Sequence, residues 1–434
     1  MSYRISKIGV LLSILMAGSA HAQDSTRQNV RYCGVGLQGD ITSFQRDNPT
    51  MGNLYANPAF RNALYKILLD RSKAAGWKIN LFGKDEPGGA GSNLGLSHVI
   101  TFENVEVEPF VDPRDGNAYF NVAYSIGVNA VLFDMTDKQI KGLVPSIIVF
   151  NEVRPQAPDA AARAAGFRAI FQGFGVNDSA IERWAASMHT LPISYDERTF
   201  FQVAPVVLSD AAKASLANIA PGNSGQSPAA FSKHLTAQYE ALLASSFNKP
   251  IVPVAINPDG TQAKTSQYVA NIPECLGASS NLTLPDPSYR MRLTVDKLST
   301  ANLRHDLAAT ENGLSRGTYQ TEFAYGARIK SEILQFDSLN GDKPIDSRTF
   351  RYVRSLRFTG ERSVNTYTQY SKLTSSFMKE LLAAYASQDK DWVKASMSAA
   401  PAEKQQRDPS ATVKDWKKLI QGTMKITPPT SDNG

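Results

Sequence analysis

The sequence is poor in cysteine, poor in histidine and, after its first residues, without a long apolar run. Each shortage removes a class of function. Cys33 and Cys275 are its only cysteines, and the histidines stand singly at His21, His98, His189, His234 and His305. No spacing among them resembles a zinc ligand set, so neither a metal site nor a cofactor is expected. Beyond residue 22 no stretch approaches the roughly 20 apolar residues of a membrane helix, and direct membrane insertion is not expected. The excess of positive over negative charge is also small, with 46 Lys/Arg against 40 Asp/Glu. Taking away Arg4 and Lys7 with the leader described next lowers the formal charge from +6 to about +4. A nucleic-acid binder draws most of its affinity from a concentrated basic face, so that class is set aside.

What the chain does have begins at its start. Arg4 and Lys7 without any acid, an apolar run from Ile8 to Met16, and small residues ending in Ala20-His21-Ala22 form the three parts of a cleavable export signal. Cleavage after Ala22 places the mature protein in the periplasm or outside the cell. No cysteine follows the cleavage site, so a lipid anchor is not expected. In an oxidising compartment Cys33 and Cys275 either pair in one disulfide or stay as two buried thiols, and the liability of a free thiol there favours the bridge.

The chain reads as one unit written twice. Gly89-Ala90-Gly91-Ser92-Asn93-Leu94-Gly95-Leu96 and Gly277-Ala278-Ser279-Ser280-Asn281-Leu282-Thr283-Leu284 agree at six of eight positions. Asn57-Pro58 and Ser227-Pro228 each place a capping residue before a proline at a helix start. Phe60, Leu64, Ile67 and Leu68 share one face of the first helix; Phe231, Leu235, Tyr239, Leu242 and Leu243 share one face of the second. Short apolar strands follow at 77–82 and 251–256. Ala123-Tyr124 and Phe133-Asp134 are echoed by Ala324-Tyr325 and Phe336-Asp337 inside long alternating strands, each returning as a large antiparallel hairpin. Helices at 158–174 and 367–387 close the units. The expected class is α/β (α+β), with two tandem domains of mixed sheet and helix at 23–180 and 196–388, a boundary near 178–196, and a polar tail over 389–434 with a short helix at 411–424.

A first strand, a capped helix, a strand and a long hairpin reading "VNAVLFDMTDKQI" or "IKSEILQFDSLNGDKPI" resemble the periplasmic domain of the curli-export lipoprotein family. The pattern is also similar to the TolB amino-terminal domain and the related module of a flagellar outer-ring protein. The resemblance spans most of 30–387 and is one of pattern. It implies a non-enzymatic envelope component that assembles near the outer membrane with a secretion, transport or motor complex, often as a ring. This chain departs from the lipoprotein members by lacking the lipid-acceptor cysteine and by carrying the unit twice, with long loops at 83–95 and 257–288.

Motifs that could carry chemistry do not hold together. Gly313-Leu314-Ser315-Arg316-Gly317 fits the hydrolase nucleophile pattern, but its flanks are wrong for a strand-turn-helix elbow and no histidine follows His305. The glycines at 89–95 are followed by a strand, so no helix dipole faces a phosphate. No catalytic residue is assigned. Glu103, Glu106 and Glu108 read as a solvated acidic face. The stretch 289–372 holds 14 Lys/Arg against 9 Asp/Glu, and its hairpin residues Arg351, Arg354 and Arg357 are the candidate partner for the acidic strand of a neighbouring copy, a head-to-tail contact able to close a ring. The expected function is an envelope scaffold or adaptor whose partners are envelope proteins or further copies of itself. An exported hydrolase and a small-ligand carrier are the alternatives.

Overall fold

The computed structural model describes residues 28–74, 79–86, 92–112, 115–172, 201–219, 227–247, 251–254, 267–306, 319–337, 341–359, 364–387 and 389–397. The export signal, the 178–196 boundary, the Gly313–Gly317 motif and the 411–424 helix lie outside these residues.

The first half runs β1 (Gln28–Gln38), α1 (Ile41–Asp47), α2 (Pro49–Ala56), α3 (Pro58–Ala74), β2 (Ile79–Phe82), β3 (Leu94–Val111), β4 (Ala118–Asp134), β5 (Ile140–Arg154) and α4 (Ala160–Gln172). The second runs β6 (Phe201–Val203), β7 (Val207–Leu208), α5 (Asp210–Ala217), α6 (Pro228–Phe247), β8 (Ile251–Val252), β9 (Gln267–Ile272), β10 (Gly277–Thr283), β11 (Tyr289–Asp306), β12 (Tyr319–Gln335), β13 (Lys343–Thr359), α7 (Thr366–Ser387) and α8 (Lys390–Ser396). The helices begin where short polar side chains can satisfy their first free N–H groups. Asn57 Oδ1 accepts from Ala59 N at 2.9 Å, Ser227 Oγ from Ala230 N at 3.1 Å and Asn365 Oδ1 from Thr368 N at 3.1 Å.

These elements build a mixed α+β fold with two sheets of matching strand order. In the first, β2, β1 and β3 pair in parallel, and β3, β4 and β5 follow as an antiparallel meander. In the second, β8, β6 with β7, and β11 repeat the parallel part, and β11, β12 and β13 repeat the meander. Alternation along the long strands sends side chains to two different places. Val122, Tyr124, Ile126 and Val128 of β4 pack with Phe44, Met51, Leu64, Leu68, Phe167 and Ile170 from α1 to α4. Val131 and Phe133 turn the other way and join Phe231, Leu235 and Tyr239 of α6, Leu373 and Phe377 of α7, and Tyr325 and Ile329 of β12. The layers are therefore α1 to α4, the first sheet, the pair α6 and α7, and the second sheet.

One sequence correspondence is overturned. Residues 94–96 enter β3, whereas 277–283 form β10, the outermost strand of the first sheet. The octapeptide match marks two unrelated entries into strands. The stretch expected as a loop at 257–288 instead contributes the β9–β10 hairpin, which leaves the second half to pair with β1 through Leu37 with Asn271 and Gln38 with Ala270. Gly36 makes this docking possible, since a Cβ there would meet the Asn271 carbonyl oxygen at 2.5 Å. Cys33 of β1 and Cys275 of the hairpin turn form a disulfide, with Cα atoms 5.3 Å apart. At its other end the hairpin is held by Thr283 N, which donates to Lys138 O at 2.8 Å in the turn between β4 and β5.

Candidate interaction surfaces

The acidic strand is not a solvated face, which corrects the sequence reading. Alternation along β3 puts Glu103 on the side of α2 and turns Glu106 and Glu108 toward α6 and α7. Glu103 accepts from Thr50 N at 3.2 Å and Met51 N at 2.5 Å, capping α2. Burial raises its pKa above the usual carboxylate range, and those N–H donors oppose the shift. Glu106 accepts from Ser371 Oγ at 3.1 Å and lies 3.8 Å from His234 Nε2. Glu108 accepts from Gln369 Nε2 at 2.6 Å and Lys372 Nζ at 2.5 Å. Asn365 Nδ2 adds a bond to Val107 O at 3.0 Å.

Glu106 and Glu108 are thus committed to a polar seam between the halves of the same chain. The residues opposite them are Asn365, Gln369, Ser371 and Lys372 of the α7 cap and first turns, with His234 of α6. Burial raises the Glu106 pKa and pushes His234 down to about 4, so the imidazole is neutral at neutral pH. Gln238 Nε2 sits 2.7 Å from His234 Nε2, and the Phe102 ring meets the imidazole edge-on at 5.5 Å. Sequence reading missed His234 and the α7 residues because nothing local says that α7 lies over β3.

The basic candidates sit on β13, the last strand of the second sheet. They do not share a face. Arg351 points to the back of the sheet, away from the helices, while Arg354 lies on the side of Tyr352; for Arg357 the structure gives its place in the strand. No described helix packs on that back. Its registers align Lys297 with Arg328 and Arg328 with Arg351, so three exposed cations stand in one row across β11, β12 and β13. Like charges directly opposite one another destabilise a sheet. Asp296 answers only in part, 3.5 Å from Arg328. Beside this row the registers Ser299, Gly326, Val353 and Ala301, Ala324, Ser355 make a flat shelf of small side chains, on which Val353 is 68% exposed.

Elsewhere in the interior, Glu240 of α6 accepts from Val254 N at 3.0 Å, and burial pushes its pKa up to about 8. His98 of β3 bonds the Tyr32 hydroxyl at 3.0 Å, and burial holds its pKa down at about 3. Among the described residues no three His, Cys, Asp or Glu side chains come together in a way that could hold a metal ion. No described helix is long and apolar enough to cross a membrane.

No protein-family model matches the chain, and no curated protein matches it. Among solved structures the chain is similar to a crystal structure of the Xanthomonas campestris protein XCC0632, of the family DUF330. The identity is 12%, the match covers 46% of this chain and 93% of that one, and the TM-score is 0.23.

Proposed function

We propose that this protein is a non-enzymatic periplasmic scaffold or adaptor of a cell-envelope assembly, working by protein-protein binding. The observation that carries this reading is the back of the second sheet, on which no described helix packs, with its row of Lys297, Arg328 and Arg351. A cross-strand row of like charges costs stability, and a surface that bears such a cost without a covering layer suits a partner of opposite charge. The export signal read in residues 1–22 and the Cys33–Cys275 bridge support a location outside the cytoplasm. On this reading the two units are relatives of the curli-export and TolB-type periplasmic domains and stand near the outer membrane through their partners.

Crosslinking in intact cells, followed by capture of a tagged full-length chain and mass spectrometry of what comes with it, tests the proposal. Recovery of outer-membrane or machine components supports it and names the process. A chain recovered alone, as a monomer, moves the reading to an exported hydrolase or a small-ligand carrier.

A further inference from the structure

The second sheet ends in β13, whose outer edge is bridged once, by Met397 at Phe350. From Arg351 to Thr359 that edge has no β partner among the described residues. An unpaired edge strand presents a row of free N–H and C=O groups that another strand can complete. The side chains flanking this stretch are of two kinds. Val353 on the back, and Tyr352 and Leu356 on the helix side, offer apolar surface. Arg351 on the back and Arg354 on the helix side offer charge on both faces.

Neither arginine forms a salt bridge with a described residue. Among the described residues the ion pairs of the sheet are Arg290 with Asp342, Arg292 and Lys330 with Glu332, Arg328 with Asp296, Lys343 with Asp337 and Arg348 with Asp346. They leave Arg351, Arg354 and Lys297 without a carboxylate among the described residues. The equivalent edge of the first sheet is different: on β5, Arg154 is answered by Glu152 at 2.8 Å. The β13 edge therefore carries a net positive field that the β5 edge lacks.

Like charge settles which strand fits. Two β13 edges brought together would set Arg351 and Arg354 against their own copies, so self-pairing is disfavoured. The neutral β5 edge of a second copy gives no compensating charge. We infer that the β13 edge from Arg351 to Thr359 is a strand-addition site for an acidic, extended segment of a different protein. Its backbone completes the sheet, and its carboxylates reach Arg351 on one face and Arg354 on the other. This inference rests on the scaffold reading and names the kind of partner that reading requires.

The test uses the full-length mature chain and a labelled short peptide in which glutamate alternates with valine and threonine. Fluorescence anisotropy is read at low and at high salt. Two control peptides replace glutamate by lysine or N-methylate alternate backbone nitrogens. Saturable binding of the glutamate peptide is expected, with loss of at least about tenfold in affinity on N-methylation, on substitution by lysine, and in the double variant Arg351→Glu, Arg354→Glu. Both residues lie at the surface edge, and a circular-dichroism melt that matches the parent shows that the variant folds. A control variant on the far side, Lys66→Glu, is expected to bind like the parent.

Equal binding of the N-methylated peptide overturns strand addition, because side-chain charge alone then suffices. Unchanged binding by the double variant overturns the site, and absence of binding by the glutamate peptide overturns the partner chemistry. Self-association of the chain that the double variant abolishes overturns the choice of a foreign partner. If the cell crosslinks name envelope partners while their contacts map away from β13, this inference fails and the scaffold reading stands.

Discussion

The two sheets share a strand order but not the residues on their backs. Counting along the central strands from Ala123-Tyr124 and Ala324-Tyr325, the first sheet places Gly127, Asn129, Val131 and Phe133 on its back. The second places Arg328, Lys330, Glu332 and Leu334 at the matching positions. The faces turned to each unit's own helices are alike, with Tyr124, Ile126 and Val128 answering Tyr325, Ala327 and Ile329. The difference follows from what covers each back. The first lies under α6 and α7, so apolar side chains and a close-packed glycine pay off there. No described helix packs on the second, whose middle, at Lys297, Arg328 and Arg351, is exposed, and charge is tolerated there. The same backbone plan thus accepts opposite surface chemistry when its neighbour changes.

The largest test of this comparison exchanges the chemistry of the backs. Val131→Glu puts a carboxylate into fully buried apolar surroundings and is expected to cost about 3–5 kcal/mol in urea unfolding, enough to leave much of the chain unfolded. The reciprocal Glu332→Val removes ion pairs of 2.8 Å and 3.8 Å between a half-buried carboxylate and two exposed cations, leaves no charge buried, and is expected to cost about 1 kcal/mol or less. Similar costs for the two would mean that the second back is buried as deeply as the first.

Next in size is the strap that only the first sheet has. Replacing Cys33 and Cys275 together by alanine is expected to lower stability by about 2–5 kcal/mol. A thermal melt of the variant should match that of the parent under reducing conditions. Gly36→Val, aimed at the Asn271 carbonyl, should loosen the same hairpin with the bridge intact and raise hydrogen exchange over 267–283 in particular.

A third effect separates the halves by the sign of their pH response. Glu240, in the second half, has a folded pKa of about 8 against an ordinary value of 4.5. The folded state therefore holds a proton that the unfolded state releases, and this contribution is complete at low pH and lost as pH rises toward 8. His98, in the first half, has a folded pKa of about 3 against 6.5, so its contribution is complete above the ordinary value and lost as pH falls toward 3. Glu240→Gln keeps an acceptor for Val254 N. It is expected to flatten the decline between pH 5 and 8 by up to about 1.4 kcal/mol per pH unit, read from urea midpoints. An unchanged slope would place the titration elsewhere.

The smallest effect concerns the cation row. Arg328→Thr removes the middle charge and supplies a good strand former. A gain of a few tenths of a kcal/mol is expected at low salt and none at high salt, where screening already relieves Lys297 and Arg351.

Much of this was legible in local sequence. The capped starts at Asn57 and Ser227 and the alternating hairpins depend on neighbours a few positions away, and they stand where the patterns put them. The sequence left Cys33 and Cys275 either bridged or as two buried thiols; a chain with two cysteines has only one internal bridge to make, and the structure makes it. The period of two already separates Glu103 from Glu106 and Glu108; what the sequence lacked was any sign that both faces of β3 are covered. Pairing of β9 with β1 had no local signature either, because a strand edge is matched by shape and register far along the chain. The repeated Gly-Ala-x-Ser-Asn-Leu misled for a related reason. Turn-then-strand chemistry recurs wherever a chain enters a sheet.

The β9–β10 strap also sets an order in time. A chain emerging from its amino terminus presents β1 to β5 early, yet the strands that close the β1 edge arrive only with residues 267–283, and Cys33 waits across 242 positions for its partner. Until then the stretch of β1 beyond its pairing with β2 stands bare at Leu37 and Gln38, a period in which a foreign strand or an unrelated thiol can take the place. Completion of the earlier half is thereby made a report on the arrival of the later one.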